Sequence, residues 1–234
     1  MSPKIIVSYD GTANEDDAVT FGRLLGAAGA SLDLAYVRHA AEADGSRETQ
    51  AQADAQSLLE RGAALLAGSA GEVGRHVVTD PSTPEGLGAL AAREGADAIL
   101  FCSDSHTARG HVAVGNSAQR LLEGGRVAIG IAPVDLAESA TGAGIRQIVA
   151  IGDGDGGARE TAESIASAVG GNVAPVVNDD ADLLVVDSRP EAESGRVSLS
   201  SSAAHLIETA TCPVLVLPRG VVLGFGRTPN AAAA

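Results

Sequence analysis

Aromatic side chains are scarce in this sequence of 234 residues, which contains three Phe, two Tyr and no Trp. Proteins that bind nucleic acid commonly stack bases on aromatic rings and attract phosphate with positive charge. Here the formal net charge is −14, and both halves of the chain are acidic. The composition therefore disfavours a nucleic-acid partner.

The chain also lacks other diagnostic features. No apolar run approaches the roughly 20 residues of a membrane span, and the N-terminus enters a predicted strand with no signal peptide. Cys102 and Cys212 are the only cysteines, too few for a disulfide framework, so we expect a reducing, cytoplasmic location. Lys4 is the only lysine, which excludes the lysine-containing phosphate loop of many nucleotide hydrolases.

A stretch of 38 residues occurs twice, and the two copies align without a gap. Residues 96–133 and 181–218 are related by an offset of 85 and are identical at ten positions. We interpret this similarity as an internal duplication. The identical positions, in first-copy numbers, are Ala96, Asp97, Ser103, Gly110, Val112, Ser117, Ala118, Leu121, Glu123 and Pro133.

Short apolar runs alternate with helical patterns along the chain. This alternation is typical of a parallel, doubly wound sheet, so the predicted fold class is α/β. In the first half the predicted strands are 4–9, 32–37, 75–79, 98–102 and 127–132, and the predicted helices are 14–28, 48–66, 84–93 and 116–123.

The pattern restarts after a small, polar stretch at residues 135–144, which we predict to be a linker. Aligning Asp153 with Asp10 gives an offset of 143 rather than 85, so the second half has lost 58 residues. The predicted organisation is a complete domain at 1–134, an abbreviated domain at 145–219 and a disordered tail at 220–234. Residues 172–177 could form a remnant strand, but too few residues follow for a parallel crossover to the next strand.

In an open parallel sheet, ligands bind at the carboxyl ends of strands, where the strand order reverses. Asp10 and Gly11 follow the first strand, Val37 ends the second, and a loop at 103–115 follows the fourth. The loop leads to Gly115-Asn116-Ser117 at a predicted helix N-terminus, where backbone amides and the helix dipole suit phosphate.

These features resemble the universal stress protein family, in which a short apolar first strand ends in Asp-Gly. Its nucleotide-binding members carry Gly, two residues, Gly, nine residues, then Gly-Ser or Gly-Thr between the fourth strand and the fourth helix. The resemblance covers nearly the whole chain, twice, in tandem. It implies a strand order of 3-2-1-4-5 in the first domain and pairing of the two fifth strands across a pseudo-twofold axis.

The chain departs from that motif. Counted back from Gly115, the earlier glycine positions hold Cys102 and Ser105, and Asn116 stands at the Ser/Thr position. The second half has Asp187, Pro190 and Ser200 at the three glycine positions. Side chains there narrow the approach of the backbone to phosphate, so we predict a degenerate first site and a second site lost for triphosphate. The candidate nucleotide-binding residues are Asp10, Gly11, Val37, Cys102, Ser103, Ser105, Gly115, Asn116 and Ser117.

Simpler structural interpretations remain open for each feature. Asp10 is either a ligand contact or the cap of the following helix, and Gly115-Asn116-Ser117 is either a phosphate site or a turn with Asn or Ser as cap. His106 and His111 lie in the candidate loop, but two loop histidines without further ligands do not predict a metal site.

No catalytic constellation stands out in the sequence. The leading hypothesis is a non-enzymatic stress-response regulator or interaction module, monomeric or homodimeric, with an unidentified protein partner. The alternative is a regulatory switch that binds ATP or AMP in the first domain. A third hypothesis, a nucleotide hydrolase, needs a general base, for which the sequence offers only Asp104 or His106.

Overall fold

The structure is a computed structural model that describes residues 2–12, 14–67, 71–104, 106–139, 144–152, 156–175 and 180–226. Strands and helices alternate through both halves, as the apolar patterning predicts. The elements of the first half are β1 (Lys4–Ser8), α1 (Glu15–Ala27), β2 (Ser31–Arg38), α2 (Gly45–Leu65), β3 (Gly74–Thr79), α3 (Thr83–Glu94), β4 (Ala98–Cys102), α4 (Asn116–Leu122) and β5 (Ala128–Ala132). The remaining elements are α5 (Leu136–Ser139), β6 (Gln147–Ile151), α6 (Gly157–Val169), β7 (Asn172–Ala174), β8 (Leu183–Asp187), α7 (Ser201–Glu208) and β9 (Val214–Leu217).

The nine strands of the described residues form one sheet in the order β3-β2-β1-β4-β5-β9-β8-β6-β7. The first five follow the order 3-2-1-4-5 that the resemblance implies, and their pairings are parallel. Helices cover both faces: α1, α2 and α6 pack on one side, and α3, α4 and α7 on the other. Burial on both faces explains why the central strands are continuous apolar runs.

The strands of the two halves are joined by the antiparallel pairing of β5 with β9. Ile129 lies opposite Val216, and Ile131 lies opposite Val214. This is the pairing of fifth strands that the resemblance implies. One sheet therefore runs through both halves, and their predicted division into domains at residues 134 and 145 stays a prediction.

The second half is a shortened version of the first. β6 lies between β8 and β7 and pairs with both in parallel. The prediction that the segment beginning at Asn172 cannot neighbour the next strand is confirmed for β7, which covers Asn172–Ala174; residues 176–177 of that segment lie outside the described residues.

The loop after β4 has the same hydrogen bonds as the loop after β8. The Ser103 hydroxyl donates to the carbonyl of Ala132 at 2.6 Å and accepts from the amide of Ala113 at 3.0 Å. At the offset of 85, the Ser188 hydroxyl donates to Leu217 at 2.7 Å and accepts from Ser198 at 3.1 Å. The repeated serine is therefore retained as a structural bridge inside each loop.

The same loops bind the halves to each other. The amide of Val112 donates to the carbonyl of Ala210 at 3.0 Å, and the amide of Val197 donates to the carbonyl of Gly125 at 2.8 Å. The donors, Val112 and Val197, are 85 residues apart, and so are the acceptors, Gly125 and Ala210. The two bonds are therefore related by the duplication. These two hydrogen bonds thus add to the contact between the halves that the β5–β9 pairing makes.

The predicted disorder of the tail is wrong for residues 220–226, because this segment packs on the core. Leu223 and Phe225 are 3% and 8% exposed. Their amides donate to the hydroxyls of Thr161 at 3.0 Å and Ser164 at 2.6 Å, both on α6. The apolar Leu-Gly-Phe spacing was the overlooked signal; residues 227–234 lie outside the described residues.

The tail also reaches the first half. A Cβ on Gly29, which has φ +102°, would lie 2.1 Å from the carbonyl oxygen of Gly226.

The predicted linker is likewise partly ordered, because the Asp17 carboxylate accepts from the amides of Asp135 at 2.9 Å and Ala137 at 2.8 Å as α5 begins.

Replacing Phe225 with Ala tests the role of the tail. Removing a buried aromatic ring leaves a cavity, so we expect the free energy of unfolding to fall by about 3 kcal/mol in urea titrations. Val222→Ala is the matched control, because Val222 is 45% exposed in the same segment. Its effect should stay below about 0.5 kcal/mol; equal effects of the two changes would contradict the observed packing.

Candidate functional site

A cavity of about 370 Å³ lies at the carboxyl ends of β1, β2 and β4, where the strand order reverses. We call it the switch-point cavity. Its volume falls within the range of small-molecule sites. Its lining includes six of the candidate residues: Asp10, Val37, Cys102, Gly115, Asn116 and Ser117.

Three other candidate residues do not line this cavity or cannot be placed. Ser103 is 2% exposed, its hydroxyl bonds within the loop, and it does not line the switch-point cavity, so its assignment to a ligand site stays a prediction. Gly11 is absent from the cavity wall, and its φ of +79° is the left-handed conformation of a turn that favours glycine. Ser105 lies outside the described residues.

Asp10 forms a turn and does not cap α1. Its carboxylate accepts from the amide of Thr12 at 2.9 Å, whereas the N-cap of α1 is Asn14, which makes no side-chain capping bond. A side chain that bonds its own backbone two residues on is typical of an Asx turn. The helix-cap interpretation of Asp10 is therefore wrong, and Asp10 is one of the residues that line the switch-point cavity.

The N-terminus of α4 has no side-chain cap. Gly115 is the N-cap, so the interpretation of Asn116 or Ser117 as cap is wrong. In the second half Ser200 occupies the equivalent position, and its hydroxyl accepts from the amide of Ala203 at 3.2 Å. The halves therefore differ at this helix N-terminus: α7 is capped by the side chain of Ser200, whereas α4 has no side-chain cap.

Glu15, which the sequence analysis missed, is the most perturbed acid of the cavity. It is 6% exposed and accepts from the amides of Asp10 and Gly11, the latter at 3.3 Å. Burial, and then the negative charge of Asp10, raise the pKa of Glu15 to about 8. In a sequence, a glutamate at the start of a helix is expected to be an exposed residue that interacts with the helix dipole. Only the fold shows that Glu15 is buried.

The switch-point cavity has acidic groups and aromatic rings but no fixed positive charge. Among the described residues that line it, none is Lys or Arg. Tyr9, Tyr36 and Phe101 supply three rings, more than half of the five in the whole chain. The Nε2 atom of His39 lies 2.9 Å from the hydroxyl of Thr83. Nothing in this wall matches the charge of a polyphosphate.

Cys102 narrows the cavity and is chemically inert. Burial, followed by the charges of Glu15 and Asp10, raises the pKa of its thiol to about 12. A thiol must ionise to act as a nucleophile, so Cys102 has no reactive role near neutral pH. This agrees with its interpretation as a small apolar side chain in place of glycine.

The equivalent region of the second half is filled by an internal carboxylate. One oxygen of Asp187 accepts from the amide of Ala158 at 2.7 Å, near the start of α6. A Cβ at Gly152 would lie 2.5 Å from the other oxygen. The Asp187 carboxylate thus lies between the start of α6 and the backbone of Gly152; Asp153, the counterpart of Asp10, lies outside the described residues.

At the opposite end of the sheet, Asp33, His76 and Glu94 bring three potential metal ligands within 4.8 Å of one another. The ammonium group of Lys4 already lies 3.0 Å from Asp33 and 3.4 Å from Glu94. The cluster is therefore an ion network whose cation is the lysine. His106 and His111 do not contribute to it.

Comparison with known proteins decides the family. The sequence model of the universal stress protein family matches residues 1–129. The chain belongs to the universal stress protein family. A universal stress protein from Archaeoglobus fulgidus DSM 4304 has a similar structure, with a TM-score of 0.70, 14% sequence identity and coverage of 94% of this chain and 100% of that one.

A protein of unknown function from Pseudomonas aeruginosa PAO1 gives a TM-score of 0.59 at 16% identity, covering 93% of each chain. At these identities the likeness establishes the fold alone. No curated protein sequence matches this chain significantly. In the described parts of the chain, no helix is long and apolar enough to cross a membrane.

Replacing Glu15 with Gln isolates the buried carboxyl. The carboxyl of Glu15 keeps its proton to about pH 8 in the folded state but loses it near pH 4.5 in the unfolded state. The contribution of Glu15 to the free energy of unfolding is therefore full below pH 4.5 and is lost as the pH rises to about 8. The free energy of unfolding of Glu15→Gln minus that of the wild type should therefore rise across this window. Urea titrations should show a rise of at most about 1.4 kcal/mol per pH unit.

The matched control is Glu60→Gln, which removes an exposed carboxyl on α2. Its difference from the wild type should not follow the same trend. A Glu15→Gln difference that stays constant with pH would show that this carboxyl is not held protonated in the folded protein.

Proposed function

We propose that this universal stress protein is a non-enzymatic stress-response regulator of the reducing cytoplasm, acting as an interaction module with an unidentified protein partner. In this proposal its nucleotide site is degenerate and does not hold a triphosphate. The observation that carries the proposal is the charge of the switch-point cavity: among the described residues that line it, Asp10 is negative, Glu15 adds a second carboxyl that ionises only above its raised pKa, and none is lysine or arginine.

The charge argument is electrostatic. A polyphosphate brings several negative charges, and proteins usually meet them with Arg, Lys or a metal ion. In this cavity the negative charge of Asp10 opposes a phosphate, and ionisation of Glu15 above its raised pKa would add a second. The amides of Asp10 and Gly11, which could have served a ligand, already bind Glu15.

The steric argument points the same way. Cys102 lines the cavity where the nucleotide-binding pattern of the family has glycine, and its side chain cannot allow the close backbone approach that glycine allows. In the second half the Asp187 carboxylate fills the corresponding space. Both halves therefore support loss of triphosphate binding, by different side chains.

A hydrolase is not supported by the placement of its candidate bases. Neither Asp104 nor His106 lines the switch-point cavity, and the Asp104 carboxylate accepts from the amide of His106 at 3.0 Å. Glu15 does line the cavity, but its raised pKa leaves it protonated at neutral pH, where it cannot accept a proton.

One observation favours the alternative of a regulatory switch that binds ATP or AMP. The cavity is open, and Asp10, Val37, Gly115, Asn116 and Ser117 surround it as the family pattern requires. The switch would bind the adenine and ribose at Asp10 and Val37 and the phosphate near Gly115. The two proposals differ in the part played by Asp10: an obstacle in the first and a contact in the second.

Calorimetric titration with magnesium-ATP of the wild type and of Asp10→Asn separates them. We expect a dissociation constant weaker than about 1 µM for the wild type. Asp10→Asn should leave ATP affinity unchanged or raise it, because a negative charge is removed from the wall. Asp16→Asn, an exposed change on α1 outside the wall, controls for long-range charge.

Sub-micromolar binding by the wild type would overturn the leading proposal. Loss of ATP affinity in Asp10→Asn, but not in Asp16→Asn, would establish the switch instead. Circular dichroism of each variant should match the wild type, so that altered binding is not confused with misfolding.

A further inference from the structure

A second and larger cavity, of about 940 Å³, lies where the two halves meet. The first half contributes the loop after β4 and helix α4, and the second half contributes the loop after β8 and helix α7. We call it the seam cavity. None of the described residues lines both this cavity and the switch-point cavity, so the two are separate candidate sites.

The apolar part of the seam cavity repeats with the offset of the duplication. Val112 and Val197 are 2% and 1% exposed and form its base. Half-buried Val114 and Leu199 stand at the next equivalent positions and leave hydrocarbon surface open to the cavity. The surface therefore suits a hydrocarbon segment that lies across the pseudo-twofold axis.

Two carboxylates stand at equivalent positions of the same cavity. Glu123 directly follows α4, and Glu208 is the last residue of α7. Neither makes an ion pair among the described residues; Glu123 accepts only from the side-chain amide of Gln119, at 2.7 Å. Helix C-termini carry partial negative charge, so both positions favour a cation.

The remaining charges leave the cavity acidic. Four glutamates line it against two arginines. Arg196 is already paired with Glu193 at 2.7 Å, which leaves Glu191, Arg189 and His111 as the other ionisable groups of the wall. The described wall therefore has two more glutamates than arginines, and Glu123 and Glu208 are the two glutamates that the duplication relates.

We propose that the seam cavity binds a linear organic dication, a molecule with two ammonium groups joined by a hydrocarbon chain. The chain lies over Val114 and Leu199, and one ammonium group lies beside each of Glu123 and Glu208. A dication fits better than a monocation because the duplication supplies two carboxylates, one from each half, to the wall of one cavity that also has an apolar surface. An anionic ligand would meet the same carboxylates and be repelled.

Calorimetric titration with a series of terminal diamines, from diaminobutane to diaminododecane, tests this proposal. We expect one diamine per chain, strongest binding at one intermediate chain length, and weaker binding as salt is added. The monoamine of the same length should bind about fivefold more weakly, since it can pair with only one carboxylate.

Single-site variants locate the ligand. Glu123→Gln and Glu208→Gln should each weaken the best diamine about fivefold, and the double variant should bind it no better than the monoamine. Glu60→Gln, which removes one negative charge from the exposed face of α2, should bind it as the wild type does. Urea titrations should show that all variants are folded.

Three results would overturn the proposal. The first is no binding of any diamine at millimolar concentration. The second is equal weakening by Glu60→Gln and by the seam variants, which would indicate only general attraction to an acidic protein. The third is tighter binding of a dicarboxylic acid than of the diamine of the same length, which would assign the cavity to an anion held by Arg189.

Discussion

The antiparallel pairing of β5 with β9 is the contact on which the rest of the structure depends. It turns two parallel half-sheets into one, and it places the loops after β4 and β8 face to face. The backbone amides of Val112 and Val197, one in each loop, then donate hydrogen bonds to carbonyls of the other half. The loop that carries the nucleotide pattern in related proteins is therefore part of the contact between the halves in this chain.

This structural use of the loop accounts for two of the ten identical positions, Ser103 and Val112. Ser103 and Ser188 bridge their own loops, and Val112 and Val197 are buried between the halves. The positions that a phosphate would need have diverged instead, to Cys102 in one half and Asp187 in the other. These two identities thus serve structure, one within each loop and one between the halves, whereas the motif positions Cys102 and Asp187 differ between the halves.

The architecture could be predicted from the sequence because it depends on local apolar patterning and on the repeat. Runs such as Ala98–Cys102 are apolar throughout, as strands buried on both faces must be. The site was predicted less well. Ser103 was assigned to the ligand although its role depends on a carbonyl 29 residues away, and Glu15 was missed because its burial depends on how α1 packs against the sheet. The order of residues 220–226 likewise depends on α6, far away in the sequence.

The central claim is that the switch-point cavity, which among the described residues is lined by Asp10 and Glu15 and by no lysine or arginine, does not retain a nucleotide. The most direct test is the absorbance spectrum of the freshly purified protein, with chromatography of the small molecules released on denaturation. With five aromatic residues and no tryptophan, the protein absorbs weakly, so bound nucleotide would dominate the spectrum. The account predicts a protein spectrum alone; a stoichiometric adenine nucleotide in the released fraction would contradict it.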